Sequence, residues 1–126
     1  MMTTLLQVAL GGAIGAAARY ATGVGVVRLF GIGVFPFGVI VVNILGSFLM
    51  GVLLVYLANK SLTHLNPFLM TGVLGGFTTF SAFSLEAFTL FERGATGLAA
   101  LYVVASVVLS LAALVAGAFL MRGVLA

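Results

Sequence analysis

An all-α membrane domain of four spanning helices is the fold class this sequence predicts, and three observations predict it. Charged side chains are scarce: five Lys or Arg and two Glu in 126 residues, or 6%. An ordinary soluble domain carries about a quarter, and 6% is too few to coat a surface in water. Hydrophobic residues make up 63% of the chain, with a mean hydropathy of +1.39. The few charges leave uncharged stretches at 1–18, 29–59, 61–85 and 94–121, and a membrane-spanning helix needs about 20 apolar residues. Soluble enzymes, nucleic-acid binders and disordered linkers are thereby excluded. The pI near 10 rests on a net charge of only +3 with no basic cluster to grip phosphate, so no nucleic-acid partner is expected. With no cysteine, disulfides, thiolate metal sites and thiol redox chemistry drop out as well.

Each helix then follows in order. The first is expected at about 4–27. A signal peptide competes for this segment, but Met1-Met2-Thr3-Thr4 has no basic region and the apolar run continues past any cleavage site, so a retained helix is expected. Gly11 and Gly15, reinforced by Gly12 and Ala16, form a small-residue pair that admits a neighbouring helix, with packing within the chain the expected use. Gly31-Ile32-Gly33 marks a turn. The second helix is expected at 37–57, with Asn43 alone in an apolar run, and a polar loop carrying His64 leads to Pro67. Proline suits the first turn of a helix, where its missing amide is no loss, so helix three is expected at 67–91. After Glu92-Arg93-Gly94, helix four is expected at 98–121. Its Tyr102, Ser106 and Ser110 recur every fourth residue and stack three hydroxyls on one face. The whole of 1–126 reads as one integral domain with no internal repeat.

Helix three carries the unusual chemistry. Its run Gly75-Gly76-Phe77-Thr78-Thr79-Phe80-Ser81-Ala82-Phe83-Ser84 puts glycines, hydroxyls and phenyl rings near the expected bilayer midplane. Adjacent glycines followed by two β-branched threonines form poor helix. Two readings stand side by side: a break whose freed carbonyls bind a cation, or an intact helix whose hydroxyls bond back to the preceding turn. Phe80 and Phe83, three apart, share a face. Their electropositive ring edges suit a small anion, while filling the core is the plainer use. Asn43 and the hydroxyl stripe of helix four are likewise either uncharged donors to an anion or glue between helices.

Topology is encoded weakly. With alternating helices, Lys60 and Arg122 fall on one side and Arg28 and Arg93 on the other, with Arg19 inside or near the end of helix one. So even a distribution permits insertion both ways round and an antiparallel dimer, or simply sets a slight preference. Glu86 is expected to face an aqueous vestibule, whereas Glu92 beside Arg93 reads as interfacial. The single histidine, His64, belongs to the polar loop, and with it neither a serine hydrolase nor a metal-ligand set can be assembled.

The run at 75–84, with Asn43, the Gly11-Gly12 pair before Gly15, the segment Phe37-Gly38-Val39-Ile40-Val41-Val42-Asn43, and Glu92-Arg93-Gly94, resembles the Fluc/CrcB family of bacterial fluoride channels over essentially the whole chain. The resemblance implies a dual-topology antiparallel homodimer in the bacterial inner membrane, surrounded by lipid, with two pores that pass fluoride passively out of the cytoplasm and so relieve its toxicity. It implies a structural, untransported sodium ion at the dimer centre, held by the backbone carbonyls of Gly75 and Thr78 from each subunit. It implies Phe80 and Phe83 as pore phenylalanines, with Asn43, Ser81, Ser84, Tyr102, Ser106 and Ser110 as polar lining and Glu86 nearby. Arg19 matches a family arginine. Two positions depart from the pattern: Val39 and Ala82 stand where the family often has threonine, so a pore contact assigned to the hydroxyl at 39 does not transfer. The competing function is a small dual-topology cation or multidrug antiporter. That class is expected to carry a membrane carboxylate in helix one, where this chain has Arg19 and no acid.

Overall fold

The structure, a computed structural model, describes residues 1–33 and 35–126. Its regular structure is all helix, with no strand among those residues. Helix α1 spans Met2–Phe30 and α2 spans Phe37–Asn59. A short 3₁₀ turn at Thr63–Leu65 leads into α3 (67–77), which winds as a π-helix over Pro67–Leu74 and as α-helix over Gly75–Phe77. Helix α4 spans Phe80–Glu92 and α5 spans Thr96–Leu125. The four helical units of the sequence reading are present, with Pro67 in the first turn of the third as expected. The first and last run longer than 4–27 and 98–121: α1 continues through Arg28 to stop before Gly31, and α5 continues through Arg122 almost to the chain end, since a basic side chain is favoured in the last turn of a helix.

Three helical stretches, Phe37–Asn59, Thr63–Glu92 and Thr96–Leu125, are long and apolar enough to cross a membrane. Helix α1 has the length, about 43 Å at 1.5 Å per residue, but Gln7, Arg19 and Arg28 dilute its apolarity. Large apolar side chains stand exposed along α1 and α5, among them Leu6 at 62% and Leu111 at 64%. In water such surfaces would associate or aggregate; in hydrocarbon they are the natural exterior.

The C-terminal ends of α2 and α4 are closed by backbone hydrogen bonds. At the end of α4, Gly94 takes a left-handed conformation with φ 81°, the Ala95 amide donates to the Leu90 carbonyl (3.0 Å), and Gly94 to Phe91 (3.0 Å). Ala95 then packs against buried Leu90, the apolar contact that accompanies this type of helix stop. At the end of α2 the same pattern recurs with Ser61 as the left-handed residue, φ 57°, and Leu62 donating to Leu57 at 2.8 Å.

Glycines decide which helices touch. A β-carbon at Gly51 would strike the Leu114 carbonyl, and one at Gly117 the Phe48 carbonyl, so α2 and α5 lie backbone to backbone. Helix α1 approaches α3 in the same way, Gly15 facing the Val73 carbonyl and Gly11 the Phe68 carbonyl. The predicted use of the Gly11/Gly15 pair within the chain is therefore what the fold displays. Helix α4 instead packs on α2 and α5, where Ile40, Phe83, Leu90, Ala99 and Tyr102 form a buried cluster. The two halves of the third helical unit thus serve different neighbours: α3 lies mainly against α1, α4 mainly against α5.

Substituting Gly15→Ala is expected to cost about 1–3 kcal/mol, since backbone on two helices must part to admit one methyl. Gly97→Ala, where an added carbon meets nothing within 4 Å, is expected to be neutral or to stabilise by up to about 1 kcal/mol. Thermal unfolding in detergent distinguishes the two.

Candidate ion-conduction site

Between α3 and α4 the chain leaves helical geometry for two residues. Thr78 has φ −80° and ψ 156°, and Thr79 φ −151° and ψ 117°, both extended. Of the two readings left open for this run, the break is present, and it falls on the threonine pair rather than on Gly75-Gly76. Gly75 and Gly76 stay helical, and at Gly76 the missing side chain serves packing: a β-carbon there would lie 2.7 Å from the Gly12 carbonyl oxygen. Threonine, β-branched and at home in extended backbone, takes the break.

Asn43 holds that break. Its Nδ2 donates to the Thr79 carbonyl at 3.0 Å, and the Thr79 amide donates to its Oδ1 at 2.8 Å, so one carboxamide satisfies both backbone groups of an extended residue. One turn further along α2, the bare backbone of Gly46 admits the Thr78 methyl and the Phe77 ring. Thr79 also caps α4, its hydroxyl accepting from the Ala82 amide at 3.1 Å. These diversions have a consequence for the carbonyls. In a continuous helix the Thr79 amide would close on Gly75 and the Ala82 amide on Thr78; both amides are engaged elsewhere, which releases the Gly75 and Thr78 carbonyls from helical partners. The intervening Gly76 carbonyl accepts from Arg19 Nε at 3.2 Å.

An open cleft of about 380 Å³ beside the break brings together Asn43, Thr78, Phe80, Phe83, Ser106 and Ser110. Phe80 and Phe83 stand with ring centroids 5.4 Å apart and planes inclined by 53°. Phe80 is 76% exposed and Phe83 only 8%, so the two share a face but not an environment. Ser106 is buried and its hydroxyl has no hydrogen-bond partner among the described residues. Ser81 and Ser84 do not line this cleft. The Ser84 proton is spent on the Phe80 carbonyl at 3.0 Å, and the Ser81 hydroxyl lies 3.4 Å from that of Thr79. Back-bonding and a helix break, weighed as alternatives from sequence, coexist here, since Thr78 too bonds back to Leu74 at 2.9 Å.

Glu86 lies elsewhere, in a larger opening of about 750 Å³ that it shares with Arg19, Arg28 and Arg93 near one end of the bundle. Tyr102 sits between the two spaces. Fully buried, it donates its hydroxyl to Glu86 Oε2 at 2.9 Å and lies over Phe83 at 5.4 Å. Sequence reasoning expected Glu86 to face an aqueous vestibule; the fold sets it at the larger opening and hydrogen-bonds it to Tyr102. Two features of the site went unread. Thr79 had no role, because nothing in a linear pattern says which backbone amide a distant asparagine will reach. Phe35, edge-on to Tyr102, lies in a connection where aromatic residues carry no periodic signal.

The chain matches the model of the CrcB-like protein, Camphor Resistance (CrcB), family over residues 6–118. It belongs to the CrcB family. Among curated relatives, the fluoride-specific ion channel FluC of Ruegeria sp. (strain TM1040) is 66% identical over 125 residues, 99% of both chains. That of Cereibacter sphaeroides is 65% identical over 123 residues, 98% of both, and that of Paracoccus denitrificans 54% identical over 126, all of both. CrcB relatives carry the name of ion channels, and the family is not one of enzymes.

Asn43→Leu is expected to destabilise the protein by on the order of 2–5 kcal/mol, because two backbone groups lose their partners away from water. Ser84→Ala, which deletes only a local back-bond, should cost about 1 kcal/mol or less. Denaturation midpoints of the two variants measure the contrast.

Proposed function

We propose that this chain forms a fluoride channel in a bacterial inner membrane. The observation that carries the reading is identity of 65–66% along nearly the entire chain with proteins named for fluoride-specific conduction, in a fold whose cleft offers neutral donors beside a broken helix. In the proposed protein all four helical units cross the bilayer, and two copies pair antiparallel so that the exposed side of the break and the Phe80 ring are covered. A passive pore would carry fluoride outward, since an interior-negative potential drives an anion out by about 2.3 kcal/mol per 100 mV.

The chemistry follows from what the cleft residues have free. Asn43 retains one N–H beyond the bond to Thr79, Ser106 has its whole hydroxyl, and Phe80 and Phe83 offer electropositive edges. Such donors replace part of a hydration shell without trapping the ion as a fixed positive charge would. Ser110 shares that cleft, Ser81 and Ser84 would line the path outside it, and Tyr102 and Glu86 would stand at its end. Arg19, Arg28 and Arg93 around the larger opening raise the local anion concentration at long range.

The released carbonyls of Gly75 and Thr78 fit sodium in kind, being neutral oxygen donors at an unwound segment. One chain supplies two, so a second copy is required to surround an ion. When bound, sodium would supply a positive potential in the interior of the dimer. Asn43 and Thr79 would keep those carbonyls turned away from helical geometry, and Arg19 would hold the Gly76 carbonyl apart from them.

Fluoride efflux from liposomes, measured against chloride, tests the function. Phe80→Ile and Phe83→Ile are each expected to slow fluoride by about tenfold or more, some 1.4 kcal/mol of barrier, with the dimer intact. Unchanged flux in both would remove the rings from the mechanism. No flux in the unaltered protein would favour a non-conducting assembly subunit, and proton-coupled cation uptake an antiporter. Exchanging sodium for a large organic cation should lower thermal stability by about 2–3 kcal/mol if sodium is near 100 times its Kd.

A further inference from the structure

A chain of aromatic rings runs from the connection before α2 into the centre of the bundle, and its outer member has no place among the pore residues above. Phe35 meets Tyr102 edge to face, with centroids 5.6 Å apart and planes at 78°, and lies 4.8 Å from Phe37 on its other side. Tyr102 lies over Phe83 at 5.4 Å and 30°, and Phe83 meets Phe80 at 5.4 Å. The Phe37 amide donates to the Phe35 carbonyl at 3.0 Å, which fixes how the connection enters α2.

Three elements therefore converge on one phenol. Helix α5 carries Tyr102, α4 contributes Phe83 beneath it and Glu86 at its hydroxyl, and the connection contributes Phe35 across its edge. Phe35 also borders the larger opening together with Glu86. Its ring thus stands between that opening and the Tyr102–Phe83 pair. Without it, the side of Tyr102 toward the opening loses its packing, and neither the hydroxyl bond to Glu86 nor the stack on Phe83 alone fixes the ring tilt.

We propose that Phe35 is a positioning residue of the ion path: it holds Tyr102 against Phe83 and Glu86, and so sets the orientation of the phenol at the end of that path and of the Phe83 ring it lies over. The proposal rests on the channel reading. Edge-to-face pairs prefer this geometry because the electropositive edge of one ring meets the negative face of the other. A leucine at 35 keeps the apolar volume and loses that preference.

In liposomes, Phe35→Leu is expected to lower fluoride flux about two- to tenfold, the range an aromatic pair commands, and Phe35→Tyr to restore it. In a Tyr102→Leu background the Phe35→Leu change should add nothing, because its effect passes through Tyr102. A second readout is spectroscopic. The chain has no tryptophan and three tyrosines, of which Tyr20 is 77% and Tyr56 37% exposed and Tyr102 0%. Tyrosine near-ultraviolet circular dichroism therefore reports mainly Tyr102, and Phe35→Leu should lose the band that Tyr102→Phe loses. Phe35→Met, unbranched and able to fill the same space, replaces the leucine variant where that does not fold. Normal flux in a conducting protein bearing Phe35→Leu would overturn the proposal and leave the channel reading standing. Additive losses in the double variant would overturn action through Tyr102. Absence of fluoride flux from the unaltered protein would remove the channel reading, and this role with it.

Discussion

Hydrocarbon offers no partner to a bare peptide group, and the pairing of Asn43 with Thr79 answers that constraint. A helix that unwinds at membrane depth must find its hydrogen bonds inside the protein. Here a single carboxamide takes both the amide and the carbonyl of Thr79, which lets the chain stay extended for two residues. Much else follows from this. The Gly75 and Thr78 carbonyls lose their helical donors, α4 starts afresh with Thr79 as its cap, and the two halves of one helical unit are free to pack on different neighbours. Asn43 is at once a component of the cleft and the reason the cleft exists.

Around that break the bundle is assembled by close backbone approach. Water is absent, so apolar side chains gain nothing by leaving it, and helices associate through packing and small residues. Glycines at 51 and 117 join α2 to α5, and those at 11 and 15 join α1 to α3. Gly76, half of a pair that by composition alone looks like a helix breaker, belongs to the same system. Gly76 meets the Gly12 backbone so closely that a side chain has no room, and helical geometry survives there because packing outweighs propensity.

Polar groups divide by whether their protons are already spent. Thr78, Ser84 and Thr89 bond back to carbonyls of their own helices, so a count of hydroxyls overstates the donors available to an ion. Ser106 keeps its hydroxyl free while buried against the cleft. No charged side chain lines that cleft among the described residues; Arg19, Arg28 and Arg93 share the larger opening with Glu86, which Tyr102 bonds from the cleft side. For an anion path this separation is sensible: charge attracts at the mouth, and neutral donors further in bind weakly enough to release.

Composition and spacing by themselves determined that the chain is a helical membrane protein, how many helical units it has, where the turns fall, and, through the motif at 75–84, the family to which it belongs. Those features are local, written in runs of apolar residues, in punctuating glycine and proline, and in a contiguous string. Asn43, Phe80, Phe83, Tyr102, Ser106 and Ser110 were legible as candidates for the same reason, since each is a polar or aromatic residue out of keeping with its surroundings. Which of them meet was decided only by the tertiary structure. The break falls at Thr78 and Thr79 and not at the adjacent glycines because Gly12, some 64 positions earlier in number, occupies the space beside Gly76, and because Asn43 reaches Thr79 from another helix. Glu86 joined Tyr102, and Phe35 closed over it, through contacts between elements far apart in the chain. A linear pattern records what each helix can offer, but the partner of a hydrogen bond or a ring is set by how the helices cross.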